Sequence, residues 1–598
     1  MSSLRSALLT AAGIMALFAT AGAAPAYAAP EDSVANPAAA QPSVEAYVPV
    51  TDAMLRSPDP SDWLMFRRTL NSWGFSPLNQ INPANVGGLR LMWARTLPAG
   101  GFEGTPLVHG GVMYIPEPGD RIEAVDAATG APIWHFQRKY PADFKGAGGT
   151  KRNIAIWGDL VFASGGDGSV YAVDAKTGKP AWEAQITDYK TQAGGPSAGP
   201  IVADGKVISG RACSVQGGPD ACVIVANDAL TGKELWRTHT VAVPGEPGAE
   251  TWGNTPREKR VTVGTWNPPS YDPELGLIYY GTSIASPTPK FEMAGNDKDY
   301  LYMTSTIALD AKTGKIVWHY QHVHDFWDFD HTFERLLVDT EVAPDKGSVP
   351  WINPKLKPGE VRKVVTGAPG KTGIIYTLDR RTGEFLWARP TVRQNVLQGI
   401  DLKTGKPINN PAAIFTGPDQ ALDICPAFTG GKNWPAGSYN PETHLMLEPL
   451  QNICSVVTSA GPKSGKGQLG MDIDYRAVMA PGETNVGTIQ AISAATGKTA
   501  WKYEQRAGTM SLVDTGGGVL FSGDAVGHFH AIDDRNGKPL WDVNLSAPIS
   551  GFPIAYGAGG KEFVAVGTGS SPEASGLGRM TPEYQTQNAN VLYVFALP

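Results

Sequence analysis

Charge is scarce in this chain of 598 residues. Asp, Glu, Lys and Arg make up 18% of it, and the formal charge is -7. A nucleic-acid binder concentrates Lys and Arg on one face, so that class of function is excluded. The mild acidic balance still allows weak steering of a basic protein partner. Cysteine is rarer: Cys213, Cys222, Cys425 and Cys454 are the only four. They form no CxxC and no CxxCH, so no c-type haem is attached to this chain. In an oxidising compartment Cys213–Cys222 and Cys425–Cys454 are the natural pairs, although four cysteines permit three pairings. The apolar run from Ala7 to Ala21 follows Arg5 and precedes the small-x-small site Ala26-Tyr27-Ala28. It reads as a signal peptide over 1–28, cut after Ala28, which directs the mature protein to the periplasm. No later segment reaches about 18 consecutive apolar residues, so no membrane span is expected. No GxSxG, HExxH, GxGxxG or Walker motif stands in a supporting context.

What the chain has in abundance is a repeat. Asp310 to Trp318 reads DAKTGKIVW, with Gly four and Trp eight positions after the Asp. The same spacing recurs at Asp126/Gly130/Trp134, Asp174/Gly178/Trp182, Asp228/Gly232/Trp236, Asp379/Gly383/Trp387 and Asp533/Gly537/Trp541. Ser493/Gly497/Trp501 keeps the spacing without the acid. An alternating apolar run ahead of each copy reads as a strand, Asp-x-x-x-Gly as a turn, and the Trp segment as the next strand. Such sheets cannot bury both faces alone, so they stack radially. A solenoid or a sandwich of hairpins is the alternative, but one Trp per long motif favours a propeller. LRLMWARTL (Leu89 to Leu97) supplies an eighth Trp strand. The tail VLYVFAL (Val591 to Leu597) is a strand without a following turn, suited to closing the ring on an N-terminal strand. The expected organisation is all-β: a flexible Ala/Pro-rich leader over 29–58, then one eight-bladed propeller over 59–598.

The Trp-to-Trp intervals are uneven, and the long ones are where function should concentrate. Gln321 to Arg335, QHVHDFWDFDHTFER, packs Asp325, Asp328, Asp330, His324 and His331 together. Such carboxylates bind a hard cation or decorate a wet surface, and the interleaved Trp327 and Phe329 argue against the surface. GGKNWP (Gly430 to Pro435) lies between Cys425 and Cys454, as a pocket wall or a merely stapled loop. Glu103 in GFEGTP and Arg152 in KRNIAIW add a carboxylate and a cation in early loops, each weak alone.

Taken together and in order, these motifs resemble the pyrroloquinoline quinone (PQQ) dependent alcohol dehydrogenases. They are GFEGTP, KRNIAIW, YDPELGLIYYGTS, LYMTSTIALDAKTG, WDFDH, GKTGIIYTLDRRTGEFLW and GGKNWP. The resemblance implies an eight-bladed propeller with tryptophan-docking repeats, holding PQQ above a Ca²⁺ or lanthanide ion. It implies Asp328 as catalytic base and a metal ligand, and Asp330 as the extra acid that accompanies lanthanide use. Glu103, Arg152, Ser197, Lys371, Asn433 and Trp434 fall at cofactor-binding positions, and Trp266 at the floor beneath the ring. Lys371 also matches a catalytic position where many members have Arg, which keeps the charge and loses the bidentate fork. Cys425 and Cys454 match the family's second disulfide.

Three departures stand out. The adjacent cysteines that form a disulfide ring over the cofactor are replaced by Gly146-Ala147. The usual metal-binding Glu is missing from GRACSVQGGPDAC, and the usual Asn from Gly281-Thr282-Ser283-Ile284. Asp330, Asp220, Ser283 and His331 are the residues that could compensate. The expected activity is oxidation of an alcohol to an aldehyde or ketone, with electrons passed to an external acceptor such as a soluble cytochrome c. The alternative is a non-catalytic propeller used as a scaffold or ligand-binding module; a metal-dependent hydrolase lacks a His-rich ligand set.

Overall fold

The computed structural model describes residues 44 and 46–598, apart from 147–150, 193, 196, 294, 325–326, 461–471 and 585. The expected signal peptide, the leader as far as 43, Asp325 and Ala147 lie outside the described residues. What is described belongs to one compact unit, Pro42–Pro598.

The Asp-Thr-Gly repeat builds one turn over and over. At Asp310 the carboxylate Oδ1 accepts from Thr313 N and Thr313 Oγ1, each at 2.8 Å, and from Lys312 N at 3.1 Å. Gly314 then takes a φ of 71° and donates its N–H to Asp310 O at 2.8 Å. This side-chain cap returns Ser305–Asp310 into Ile316–Gln321 as an antiparallel pair. The same Asp–Thr bonding recurs at Asp126, Asp174, Asp228 and Asp379. Ser493 caps Thr496 N instead, which is how the copy without an acid survives.

Gly is required at this position for a second reason. A Cβ added at Gly178, Gly232, Gly314, Gly383 or Gly537 would stand 2.4–2.6 Å from the indole of Trp134, Trp182, Trp236, Trp318 or Trp501 respectively. Each Trp therefore lies on the next copy's glycine. Trp134 and Trp182 also donate Nε1–H to Ala175 O and Ala229 O at 3.0 and 2.9 Å.

Among the described residues, eight sheets of four or five strands result. Their runs of consecutive strands begin, in chain order, at Leu107–His109, Ala155–Trp157, Ile201–Ala203, Ser270–Asp272, Leu336–Val342, Ser438–Asn440, Val513–Thr515 and Ile554–Ala558, and Phe75–Ser76 pairs parallel with Val513–Thr515 as a fifth strand. The last sheet takes its remaining strands from both ends of the unit, since Val591–Ala596 pairs antiparallel with Arg90–Thr96. Two smaller sheets, Leu397–Ile400 with Pro407–Asn409 and Ala421–Ile424 with Ile453–Ser459 and Ile473–Met479, occupy the longest interval. Disulfides join Cys213 to Cys222 and Cys425 to Cys454. The segment expected to be a leader is in contact with the sheets before residue 59: Val50 pairs with Gly158, and Leu55 of the short helix Asp52–Arg56 is buried.

Candidate active site

The antiparallel order separates the two ends of every sheet. The Asp-Thr-Gly turns join third to fourth strands at one end. Glu103, Arg152 and Trp266 precede first strands, Lys371 lies between Glu360–Thr366 and Ile374–Asp379, and Asp328 follows Ile316–Gln321. All of these fall at the other end, so residues hundreds of positions apart converge there.

Lys371 is the hub. Its Nζ lies 2.7 Å from Asp328 Oδ1 and 3.4 Å from Asp330 Oδ2, and all three side chains are buried. Burial alone would lower the Lys371 pKa; the two carboxylates outweigh it and raise it, so the ammonium stays charged. Asp330 is held from two further sides, by Ile284 N at 3.0 Å and Trp266 Nε1 at 3.2 Å. The backbone joins in, with Lys371 N donating to Asp330 O at 2.9 Å.

Trp266 links this triad to a second ion pair. Its carbonyl accepts from Arg152 Nη1 at 3.0 Å and from Ser197 Oγ at 3.1 Å. Arg152 Nη2 reaches Glu103 Oε2 at 2.6 Å. Burial pushes the Glu103 pKa up and the Arg152 pKa down, against their mutual attraction, which marks a dry site. The Arg152 guanidinium stands 5.0 Å from the Trp266 ring and 5.5 Å from the Trp434 ring. Trp434 arrives on the GGKNWP loop, which crowds Lys371: Gly431 N donates to Lys371 O at 2.8 Å, and a Cβ on Gly430 would lie 2.9 Å from Lys371 Cα. Asn433 is on the same loop, but its amide is turned to Thr429 O and Trp434 N.

All nine sequence-predicted positions thus lie in one connected neighbourhood, with Asn433 facing its own loop. The compensating ligands divide differently. Asp220 pairs with Arg257 and His239 at the surface. Ser283 Oγ is used by Thr262 O and Gly264 N. His331 bonds Phe329 O and Thr372 Oγ1, stacks on His322, and is pushed by burial down to about 3. Only Asp330 stands beside Asp328. Sequence reasoning missed four residues of the same region: Phe428, its ring 5.6 Å from Lys371 Nζ; Tyr475, tilted against Phe428 with ring centres 4.2 Å apart; Thr429; and Glu573. None belongs to a motif, and a lone Glu in SSPEASG carries no signal beyond a helix start.

A flat cofactor bearing carboxylates fits these residues. Arg152 Nε is buried without a hydrogen-bond partner, and two indoles flank the guanidinium. A metal ion fits less completely. Asp328 and Asp330 offer two carboxylates, and among the described residues no group of three or more His, Cys, Asp or Glu is placed to hold an ion. A hard cation takes about six to eight oxygens, so protein donors alone do not complete its shell.

Known proteins share this architecture. The family described as "PQQ: Glucose/ethanol/alcohol dehydrogenase, beta-propeller domain" matches residues 63–407, and a description of outer membrane protein assembly factor BamB matches 485–570. Quinohemoprotein alcohol dehydrogenase ADH IIB of Pseudomonas putida is 32% identical over 580 residues, covering 92% of this chain and 79% of that protein. The dehydrogenase subunit of alcohol dehydrogenase (quinone) of Komagataeibacter europaeus is 33% identical over 557 residues, covering 87% and 73%. Among solved structures, quinohemoprotein alcohol dehydrogenase ADHIIG of Pseudomonas putida superposes with a TM-score of 0.79 at 28% identity, covering 92% of this chain and 83% of that one. A europium-containing methanol dehydrogenase superposes at 0.78 with 26% identity, covering 91% and 99%. With its repeats, its buried Lys371–Asp328–Asp330 triad and these relatives, the chain belongs to the PQQ-dependent alcohol dehydrogenase family of β-propellers.

Proposed function

We propose that this protein oxidises an alcohol to an aldehyde or ketone with PQQ and passes the electrons to an external acceptor such as a soluble cytochrome c. The observation that carries the reading is Lys371 held between Asp328 and Asp330 beside the Arg152–Trp266 arrangement. A scaffold has no use for a buried ammonium shared by two acids at the loop end of its sheets.

When bound, PQQ supplies an electrophilic quinone carbon that accepts hydride. Asp328 is the base, with a carboxylate oxygen taking the alcohol's hydroxyl proton as hydride leaves the carbinol carbon. Lys371 keeps that carboxylate in place and puts positive charge where negative charge develops on an oxygen. Arg152, Glu103 and Ser197 orient the cofactor, Trp266 and Trp434 flank it, and Asn433 completes the loop beside Lys371. Burial of Glu103, Arg152, Asp328, Lys371 and Trp434 keeps water from the charged groups. Asp328 and Asp330 would be the carboxylate ligands of an ion, Ca²⁺ or a lanthanide, which would supply Lewis-acid polarisation of the quinone. The eight sheets are eight blades, and the Trp-on-Gly contacts dock each blade on the next. Export to the periplasm after loss of residues 1–28 accords with both disulfides, and no described helix is long and apolar enough to cross a membrane.

Reconstitution of the apoprotein tests the reading. PQQ binding, followed by dye-linked alcohol oxidation with Ca²⁺ or La³⁺ added separately, is the expected result. Failure to bind PQQ with either ion would overturn it.

A further inference from the structure

We propose that Glu573 is a further cofactor-binding residue, its buried carboxylic acid donating a hydrogen bond to an oxygen of the bound quinone between Lys371 and Glu103. The inference rests on the PQQ reading above and adds a group to it. Glu573 opens the helix Pro572–Arg579, whose cap is Ser571 Oγ accepting from Ala574 N at 3.1 Å. Ala574 and Leu577 of that helix pack into the apolar cluster of Phe333, Trp434 and Phe552, with Trp266 at its edge. The helix is thereby fixed against the walls of the site. Glu573 is 3% exposed, and its Oε1 has no hydrogen-bond partner. A buried, unpartnered oxygen costs about 1–3 kcal/mol, which a missing ligand would recover. Two more atoms nearby share this condition: Arg152 Nε, and Thr429 Oγ1, whose methyl faces Gly576 of the same helix.

Charge explains why an acid is tolerated there. Lys371 and Glu103 are the two ionised side chains that act on Glu573, in opposite directions, while burial pushes its pKa up to about 8. The other charged groups around the helix are engaged elsewhere. Arg152 pairs with Glu103, Lys432 with Glu334 and Glu448, and Arg506 with Glu583, while Arg579 acts on Tyr475. At neutral pH Glu573 is therefore a neutral acid that can donate, whereas a carboxylate could only accept and would repel a cofactor that carries carboxylates. Glu573 is buried, and the ionised side chains that act on it, Lys371 and Glu103, stand at cofactor-binding positions, so the cofactor rather than the alcohol is its partner.

The test is PQQ binding to the apoprotein with Ca²⁺ present, read by quenching of tryptophan fluorescence at pH 7 and pH 9. Glu573→Ala is expected to bind PQQ roughly tenfold or more weakly, while its apoprotein still unfolds in one cooperative thermal transition. Glu573→Gln, neutral and still a donor, is expected to bind within a few-fold of the natural protein. The natural protein should lose affinity between pH 7 and pH 9 as the acid ionises, and Glu573→Gln should lose less. Natural-strength PQQ binding by Glu573→Ala, with any change confined to the KM for alcohol, would overturn the assignment. So would a parallel alkaline loss in Glu573→Gln, which also serves if Glu573→Ala does not fold. A natural protein that binds no PQQ would overturn the function itself, a result distinct from both.

Discussion

Replacing Lys371 with Met would remove the one ammonium that two buried carboxylates share. Asp328 Oδ1 and Asp330 Oδ2 lie 2.7 and 3.4 Å from its Nζ, and all three side chains are at most 12% exposed. Removing one partner of a buried ion pair typically costs about 3–5 kcal/mol, because the remaining charge keeps its desolvation penalty. Both acids lose this partner, and Asp330 keeps its bonds from Ile284 N and Trp266 Nε1. Lys371→Met apoprotein should therefore be less stable by about 3–5 kcal/mol near pH 8 in denaturant unfolding. The pH dependence has a definite sign. Without the ammonium, an acid in this site protonates at higher pH when folded than when unfolded, so the folded state gains protons as pH falls. The penalty should shrink between pH 8 and pH 5. In the natural protein the Lys371 pKa is raised on folding, so its contribution is full below about 10 and is lost only above that. Lys371→Arg, which keeps the charge, should recover part of the loss. A Lys371→Met protein as stable as the natural one at pH 8, or equally destabilised at both pH values, would refute the argument.

Other consequences can be measured separately. Asp328→Asn should retain PQQ binding while kcat falls by about 10²–10⁴, the worth of a positioned base, and unchanged turnover would remove the role. Gly232→Ala should destabilise the apoprotein by at least about 2 kcal/mol in denaturant unfolding, because the methyl meets Trp182 at 2.5 Å on a backbone at φ 71°. Breaking Cys425–Cys454 with Cys454→Ala should cost about 2–4 kcal/mol and weaken PQQ binding, since the bridge spans 29 positions that include GGKNWP.

The fold was legible because its unit is local and repeated. Asp, Thr and Gly cap a turn within five residues, and the Trp that follows reports a packing partner about one repeat away. The site was legible only through motifs, since Glu103, Arg152, Trp266, Asp328 and Lys371 meet through loops from different sheets. No periodicity encodes that meeting. The two short sheets between Val396 and Met479 lie outside the repeat, so no copy of its spacing announces them. The leader boundary was placed too late because Ala and Pro richness hides Val50, whose burial depends on a distant partner at Gly158. Asp220, Ser283 and His331 looked available as ligands in sequence, where their hydrogen bonds cannot be seen. Glu573 had no signal at all: burial and a missing partner are properties of the folded molecule.

The charge balance of the site leads to a last prediction. Arg152 and Lys371 face Glu103, Asp328 and Asp330, which leaves one negative charge even with Glu573 neutral. A cofactor that carries carboxylates would enter a dry pocket of its own sign, and little water is there to screen the repulsion. Binding therefore needs either protonation of an acid or an added cation beside Asp328 and Asp330. PQQ affinity of metal-stripped apoprotein should be low near pH 8 and rise on adding Ca²⁺, and rise further with La³⁺ if Asp330 is a ligand. In the stripped protein it should also rise as pH falls, as protons substitute for the ion. Neutralising one acid tests the same balance without metal: Asp330→Asn should bind PQQ more tightly than the natural protein when stripped, and respond less to La³⁺. Equal affinity in stripped and ion-loaded protein at pH 8 would mean that Lys371 and Arg152 suffice, and the ion would have no place in this chain.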